Sequence, residues 1–306
     1  MEDQGNDIRQ IFLKEFETDC AFVSKAPGRI NLIGEHTDYN MGLVMPAAID
    51  KSVNIAFSPS DDLNCHFLAS DLGESFIANL DKIQKSERSW VNYLLGILIA
   101  FKKRKDTKHG FYCVINSNIP IGAGMSSSAA LECAFINGLN HMYEADFDRW
   151  ERIEIIQESA HHFLGVKSGI LDQFASLFGR KDSAVILDCG THNYEYVQVP
   201  LQNHSFILVD TKVKHTHLTS AYNDRVEECN SALNKIQLEY VHIQSLSDSE
   251  LKVDMIGDLS LSDTEFRRTK FIIGENQRVI SFKKALESGN IDKLGTLLYD
   301  SHDGLR

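Results

Sequence analysis

The chain has 306 residues, of which 43% are hydrophobic and 24% are charged, and its formal net charge is -12 at pH 7. These fractions are those of globular proteins, which excludes disordered and fibrous classes, and the length suits one or two domains. The negative charge argues against a nucleic-acid partner or an anionic membrane surface, because affinity for either comes largely from basic residues.

The six cysteines are scattered, with no C-x-x-C pair and no zinc-like spacing. In a chain of this size that pattern is typical of reduced thiols in a cytosolic protein. The amino terminus, residues 1–7, is acidic and polar, unlike a signal peptide. The longest apolar run, residues 93–101, is too short for a bilayer, which needs about 20 residues. We therefore expect a soluble, cytoplasmic protein with no membrane partner.

The hydrophobic periodicity mixes helix and strand patterns, which predicts an α+β fold. In chain order, the elements predicted before residue 200 are a helix over 8–18, a strand over 21–25 that Pro27-Gly28 ends, strands over 29–33, 43–49 and 53–57, a helix over 90–101, a strand over 110–116, helices over 126–143 and 149–164, and a strand over 184–188. Those predicted after it are a strand over 205–210 and helices over 218–236, 263–288 and 291–302. The change from a strand-rich to a helix-rich part places a domain boundary between residues 190 and 205.

A polar stretch, residues 28–39, lies between apolar flanks. Such groups are costly to bury unless a partner satisfies them. Carboxylates, an imidazole and a guanidinium together suit a polyhydroxylated ligand, whose hydroxyls both donate and accept. A surface loop with solvated charges is the weaker alternative, because strand alternation places Arg29 and Asn31 on one face of an apolar strand. The polar residues are Arg29, Asn31, Glu35, His36, Asp38 and Tyr39.

A glycine- and serine-rich stretch, residues 120–130, lies between a predicted strand and a predicted helix. Gly122 and Gly124 permit backbone angles and a close approach that a Cβ would forbid. Successive N–H groups and the positive end of the following helix form a cradle for an anion. No lysine follows the loop, so Mg²⁺ or a cation from elsewhere would balance the charge. A glycine turn with a serine N-cap is the alternative. Three consecutive hydroxyls favour phosphate: Ser126, Ser127 and Ser128.

Asp172 lies in an apolar segment, residues 168–178. A carboxylate there either caps the following turn or acts on a ligand. Taken alone, the segment favours the cap.

In combination, the three motifs are specific. Residues 28–39 look like the galactokinase signature, and the glycine-serine loop resembles the second motif of the wider GHMP kinase family. Residues 168–173 are similar to the segment that carries the catalytic aspartate in galactokinases. The similarity extends from about residue 20 to the end and includes residues 90–93 and 301–306. The chain is thereby identified as a member of the galactokinases.

This resemblance implies the two-domain GHMP kinase fold, in the α+β class. An α/β, ribosomal S5 domain 2-like domain over residues 1–200 would bind the sugar and the ATP phosphates. A ferredoxin-like domain, incomplete here, would follow over residues 201–306. The resemblance also implies an enzyme of galactose metabolism that transfers a phosphoryl group from ATP, with Mg²⁺, to the 1-hydroxyl of D-galactose. We expect it to act as a monomer.

The resemblance assigns roles to individual residues. Arg29 and Asp172 would flank the reacting hydroxyl as the catalytic groups. Ser128 would reach Mg²⁺. The remaining sugar hydroxyls would be bound by Glu35, His36, Asp38, Gly169 and Tyr222. ATP would be bound by Gly122, Gly124, Ser126, Ser127 and, near the adenine, Trp90.

Two features depart from the family pattern. The third, glycine-rich motif near the carboxy terminus is absent, so we expect a fragment or truncated product that binds sugar weakly and turns over poorly. Ala160 stands where the family often has a glutamate that helps to hold Mg²⁺. The neighbouring Glu158 is not a secure substitute.

Two alternative functions stay open at this point. An N-acetylgalactosamine kinase of the same family would share Glu35, His36 and Asp38. A galactokinase-like sensor would bind sugar and ATP without catalysis. The intact serine loop favours catalysis over the sensor.

Overall fold

The structure, a computed structural model, describes residues 3–120, 122–200, 204–210 and 218–306. The helices in these ranges are Asp3–Phe16 (α1), Ser89–Lys102 (α2), Ser127–Met142 (α3), Arg149–Glu158 (α4), Leu171–Phe178 (α5), Leu218–Glu239 (α6), Asp263–Glu287 (α7) and Ile291–Leu305 (α8). The strands are Phe22–Ile33 (β1), Leu43–Pro59 (β2), Asn64–Ala69 (β3), Glu74–Asn79 (β4), Phe111–Ser117 (β5), Ser183–Asp188 (β6) and Tyr194–Gln198 (β7). None of the helices in the described ranges combines the length and the apolar character that a membrane crossing requires.

The chain packs as two compact units, each assembled from separate stretches of sequence. The first unit comprises Met1–Gly28, Ile49–Val166 and Asp172–Phe178, and the second comprises Arg29–Ala48, Lys167–Leu171 and Gly179–Arg306. The domain limits predicted at residue 200 stay a prediction, because packing units and family domains are defined by different criteria.

The first unit is built on strands in the order β4-β3-β5-β2. β3 pairs antiparallel to β4 and parallel to β5, and the second half of β2 pairs antiparallel to β5. The helix α2 is apolar around most of its circumference, and it is accordingly buried in the same core. Because side chains alternate along a strand, Phe57, Phe67 and Phe111 point into that core, where they pack with Phe135 of α3. This core fixes the start of α3, where the serines lie.

In the second unit, the first residues of β2 pair antiparallel with β6, which pairs antiparallel with β7. The long helix α7 packs against α6, α8 and β7. It begins with a capping box, in which Ser262 and Glu265 each accept a hydrogen bond from the other's backbone N–H. Its residues Val279 and Phe282 are fully buried with Ile33 of β1. The end of β1 is therefore anchored on α7.

Most predicted elements are confirmed, but the ends of the first strands were wrong. β1 runs through Pro27 and Gly28 without a break. Pro27 lacks an N–H, and this is tolerated because, within the described residues, β1 pairs with β2 alone and so has one side outside the ladder. The strands predicted over 43–49 and 53–57 are one strand, β2, because the polar pair Asp50-Lys51 interrupts the apolar pattern but not the backbone pairing.

The predicted strand over 205–210 was also wrong. Residues 204–210 have no regular secondary structure, and Ile207 and Val209 are 83% and 79% exposed. An alternating pattern indicates that a strand could form but not that a partner strand is available. The helix predicted over 149–164 ends at Glu158 and continues as a π-helical turn over 159–164. The strands β3, β4 and β7 were missed.

Candidate active site

The glycine-serine loop has the backbone angles that its sequence predicts. Gly122 and Gly124 have φ of 75° and 73°, and a Cβ on either would meet no described atom within 4 Å. These glycines are therefore required by backbone angle and not by packing. Gly28 is the opposite case, because a Cβ there would lie 2.7 Å from the Met125 carbonyl oxygen. The contact with Gly28 holds the loop against β1.

The loop ends at the N-terminus of α3, which begins at Ser127. Ser126 precedes it in the left-handed region, with φ of 52°. Free N–H groups at a helix N-terminus attract anions, and no acidic residue occupies the first turn of α3. Ser128 lies in that first turn with an exposed side chain. The three predicted serines thus surround one helix N-terminus.

Asp172 lies in the first turn of α5, inside the helix and not at the residue before it. Its Oδ2 accepts a hydrogen bond from Ser126 Oγ at 2.6 Å. Two residues predicted from separate motifs are therefore brought into contact. The local sequence favoured a cap for Asp172, but its side chain reaches Ser126 of the glycine-serine loop.

A buried pair lies directly behind Asp172. Gln173 Nε2 donates a hydrogen bond of 3.2 Å to Glu132 Oε2 of α3, and Glu132 is only 3% exposed. Burial raises the pKa of Glu132 to about 8, the hydrogen bond from Gln173 opposes the shift, and the charge of Asp172 adds to it. Glu132 links the helix of the serine loop to the helix of Asp172. Sequence reasoning missed it, although an acidic residue in the apolar stretch 129–136 was a usable signal.

Trp90 and the position of the missing glutamate also lie in the first unit. Trp90 lies in the first turn of α2, and its Nε1 donates to Glu74 Oε2 at 2.7 Å. Ala160 is buried in the π-helical turn. Glu158 Oε1 and Oε2 lie 2.6 Å and 2.5 Å from the side-chain nitrogens of Lys103 and Arg104, in the turn that follows α2. Glu158 is therefore paired with two cations, and its failure to replace a metal-binding glutamate stays a prediction.

In the second unit, the loop after β1 is closed by its own side chains. We call residues 34–43 the sugar loop. Thr37 Oγ1 lies 2.8 Å from the Gly34 carbonyl oxygen and 2.7 Å from the Leu43 carbonyl oxygen, so its hydroxyl can donate to either end. Asn31 Nδ2 donates to Glu35 Oε1 at 2.9 Å and so orients that carboxylate. These hydrogen bonds between its own residues define the shape of the loop.

His36 is neutral at physiological pH. Burial, together with the smaller effect of the Arg225 and Arg268 charges, lowers its pKa to about 4. Tyr39 OH lies 2.9 Å from His36 Nδ1. Burial raises the pKa of Tyr39, so its phenol stays protonated near neutral pH. The direction of the hydrogen bond follows the tautomer of the imidazole, because Nδ1 accepts when the ring proton is on Nε2 and donates when it is on Nδ1.

The remaining predicted sugar-binding residues are close to this histidine. The Tyr222 ring lies 6.4 Å from the His36 ring and 5.4 Å from the Tyr39 ring. Tyr222 OH accepts a hydrogen bond from Gly169 N at 3.4 Å. A Cβ on Gly169 would lie 1.9 Å from Asp38 Oδ2, so the backbone at Gly169 packs directly on that carboxylate.

Two polar residues of α7 hold the sugar loop, and sequence reasoning missed both. Glu275 Oε1 accepts hydrogen bonds from the Gly34 and Glu35 amides at 2.9 Å and 3.0 Å, and Asn276 Oδ1 accepts one from the Leu43 amide at 2.8 Å. The available signal was a glutamate after the apolar run 271–273, the same kind of signal that singled out Asp172.

Arg29 is half-buried in β1 and is the first residue of the second unit, whereas Asp172 belongs to the first unit. The convergence of these two side chains on one hydroxyl stays a prediction, as do the individual roles of the other predicted residues.

Comparison with known proteins assigns the family. The GHMP kinases N terminal domain matches residues 92–180, and the galactokinase galactose-binding signature matches residues 10–59. A galactokinase from Lactobacillus helveticus is 37% identical over 97% of this chain and 79% of its own length. The chain belongs to the galactokinase family. This confirms the resemblance drawn from the three motifs.

Other galactokinases are similar to this chain over a comparable length. The enzyme from Thermotoga petrophila is 38% identical over 92% of this chain and 77% of its own length. The crystal structure of Lactococcus lactis galactokinase complexed with galactose matches with a TM-score of 0.90 at 34% identity, covering 99% of this chain and 79% of that one. The predicted GHMP kinase fold, of mixed α+β class, is confirmed.

Proposed function

We propose that this chain transfers the γ-phosphoryl group of ATP to the 1-hydroxyl of D-galactose, giving galactose 1-phosphate and ADP. The observation that carries the proposal is the 2.6 Å hydrogen bond from Ser126 to Asp172, which joins an anion-binding loop to a carboxylate. A kinase needs these two parts together, because the phosphoryl donor and the acceptor hydroxyl must meet in line.

The chemistry of the sugar loop supports a sugar as the acceptor. The Glu35 and Asp38 carboxylates accept hydrogen bonds from hydroxyls, and the neutral His36 imidazole carries one nitrogen that donates and one that accepts. A hydroxyl both donates and accepts, so a set that contains both kinds of group can select among sugar epimers. Tyr222 and Gly169 fix the position of Asp38 and His36 within the second unit.

The glycine-serine loop supports ATP as the donor. The backbone amides before α3 and its first turn would hold the phosphates, with Gly122, Gly124, Ser126 and Ser127 forming the cradle. Trp90 would contribute an apolar surface near the adenine.

The donors present fit a magnesium ion that enters with the nucleotide. In the described ranges, no group of three or more His, Cys, Asp or Glu residues could hold a metal by itself. Mg²⁺ commonly keeps phosphate oxygens and waters as most of its ligands, which needs little from the protein. Ser128 would supply one hydroxyl, and Ala160 supplies none. When bound, the ion would neutralise phosphate charge.

The proposed reaction forms a bond between O1 of galactose and the γ-phosphorus and breaks the bond between that phosphorus and the β-γ bridging oxygen. The proton of O1 passes to Asp172. Because the transition state of phosphoryl transfer is loose, the hydroxyl needs little activation until late in the step. Asp172 then orients the hydroxyl and accepts its proton late, while Arg29 stabilises the developing negative charge.

The relatives described above are galactokinases, so neither an N-acetylgalactosamine kinase nor a sensor is favoured. The proposal includes a cytoplasmic location, which the six buried, free cysteines support. It also includes action as a monomer.

The test is a coupled assay of ADP release by the purified chain with galactose and ATP·Mg²⁺, with the product identified by phosphorus NMR. We expect galactose-dependent turnover that Asp172→Asn lowers by roughly 10²- to 10⁴-fold. The exposed Asp61→Asn, which makes the same chemical change away from the loop, should leave turnover unaltered.

Calorimetric binding of galactose and ATP in the same preparation separates the alternatives. Binding of both ligands without turnover would favour the sensor, and faster turnover of N-acetylgalactosamine than of galactose would favour the other kinase.

A further inference from the structure

Two consecutive residues of helix α7 form hydrogen bonds with the two ends of the sugar loop. Glu275 binds the amides of Gly34 and Glu35 where the loop leaves β1, and Asn276 binds the Leu43 amide where it enters β2. Two of the residues predicted to bind the sugar, His36 and Asp38, lie between these two attachments. The loop's exit and entry are thus fixed from one rigid helix.

The Glu275 carboxylate is fully buried and completely satisfied. Besides the two loop amides, Oε1 accepts a hydrogen bond from Ser301 Oγ of α8 at 2.8 Å, and Oε2 accepts one from Arg278 Nε at 2.6 Å. A buried ion pair is weak evidence for stability, because apolar residues of similar size often stabilise a core as well or better. An apolar residue, however, could not orient two backbone amides.

The other end of the loop is packed tightly on α7. A Cβ on Gly42 would lie 2.4 Å from Ser247 Oγ and 2.7 Å from Asn276 Oδ1. Because residue 42 is glycine, the backbone can approach Asn276 closely enough for the Leu43 amide to donate its hydrogen bond. The tight packing at Gly42 and the Asn276 hydrogen bond therefore hold the same end of the sugar loop.

We propose that Glu275 and Asn276 are positioning residues for sugar recognition, which hold the sugar loop so that His36 and Asp38 face the ligand. The inference rests on the proposed function, since it assigns these two residues to the sugar site of that reaction. Neither residue touches the substrate. Their contribution is to remove the freedom that the loop would otherwise lose on binding.

The variant Glu275→Gln tests this with little change of shape. Its amide nitrogen must replace one acceptor oxygen, so either the loop amides or Arg278 lose a partner. The matched control is Glu265→Gln on the same helix. Glu265 is 6% exposed and accepts hydrogen bonds from Ser231, Lys235 and the Ser262 amide, none of which belongs to the sugar loop.

Two readouts are taken from each variant. Hydrogen exchange of the Gly34 and Glu35 amides is measured without substrate, and KM for galactose and kcat are measured by the coupled assay. For Glu275→Gln we expect exchange and KM each to rise by about tenfold or more, with kcat little changed, because a hydrogen bond to a charged group is lost. Glu265→Gln should lower the urea midpoint without changing either readout.

Asn276→Ala is the second variant, in case Glu275→Gln folds poorly. It removes only the Leu43 hydrogen bond and should raise KM by about three- to tenfold. Equal exchange in the Glu275 and Glu265 variants, or an unchanged KM in a folded Glu275→Gln, would overturn the proposal. Inactivity of the unmodified chain would count against the proposed function alone, because the exchange measurement needs no turnover.

Discussion

Ser126 Oγ donates a hydrogen bond of 2.6 Å to Asp172 Oδ2 across 46 positions of sequence. The backbone of Ser126 is left-handed, with φ of 52°. A residue other than glycine in this region is strained, and strain of this kind persists where the surrounding structure requires it. Mutation can separate the contribution of the hydroxyl to activity from the effect of the left-handed backbone on stability.

Ser126→Ala and Ser126→Gly should lower kcat to the same extent, about tenfold or more, because both lose the hydrogen bond to a charged group. Ser126→Gly should nevertheless be more stable than Ser126→Ala by about 1 kcal/mol, since glycine tolerates the left-handed angle. Steady-state kinetics and urea unfolding measure the two effects. If the glycine variant kept full activity, the hydroxyl would have no role.

Gly169→Ala should abolish galactose binding while ATP binding is retained. The new Cβ would lie 1.9 Å from Asp38 Oδ2, so the carboxylate must move from its position in the sugar loop. Gly257→Ala is the control, because a Cβ there meets only the Asp254 carbonyl oxygen, at 3.8 Å. Calorimetry with each ligand is the measurement. Unaltered galactose affinity in Gly169→Ala would show that Asp38 is not part of the sugar site.

His36 should make the protein less stable as the pH is lowered from about 6.5 to about 4. The unfolded chain takes up this proton near pH 6.5, whereas the folded chain does so only near pH 4. Between these values the unfolded state binds more protons, so the free energy of unfolding falls with falling pH, by at most about 1.4 kcal/mol per pH unit.

The variant His36→Gln should lack this pH-dependent part of the free energy of unfolding. Urea unfolding of both proteins at several pH values in this window checks the prediction, and parallel pH curves would refute it.

Glu132 should act in the opposite direction and in a different window. Its pKa is 4.5 in the reference state and about 8 in the folded protein. Between these values the folded state binds more protons, so stability falls as the pH rises, again by at most about 1.4 kcal/mol per pH unit. Glu132→Gln should therefore gain stability relative to the unmodified chain between pH 5 and pH 8. A stability difference that stays constant over that interval would indicate a normal pKa for Glu132.

The candidate site could be predicted from sequence where its residues are contiguous. Arg29 to Tyr39, the serine loop and Asp172 each place polar groups in apolar stretches, and a local pattern is enough to identify them. The residues that hold these motifs could not be predicted. Glu275 lies 240 positions from Glu35, and Glu132 lies 41 positions from Gln173. Such pairs exist only through tertiary packing, which periodicity does not specify.

The fold shows the same limit. Helices such as α2 and α7 were predicted because their hydrogen bonds are local and their patterns are long. The strand predicted over 205–210 failed because a strand depends on a partner elsewhere in the chain. β1 was predicted to break at Pro27, although an edge position makes the missing N–H harmless.

The six buried thiols give the protein internal probes of local opening. Burial raises the pKa of Cys65 to about 12 and raises that of Cys229 as well, so neither is a reactive thiolate near neutral pH in the closed state. A maleimide or a disulfide reagent can therefore modify these side chains only when the surrounding structure opens. Cys65 belongs to the first unit and Cys229 to the second. Peptide mapping of the labelled cysteines would therefore report separately on the rate of local opening in each unit.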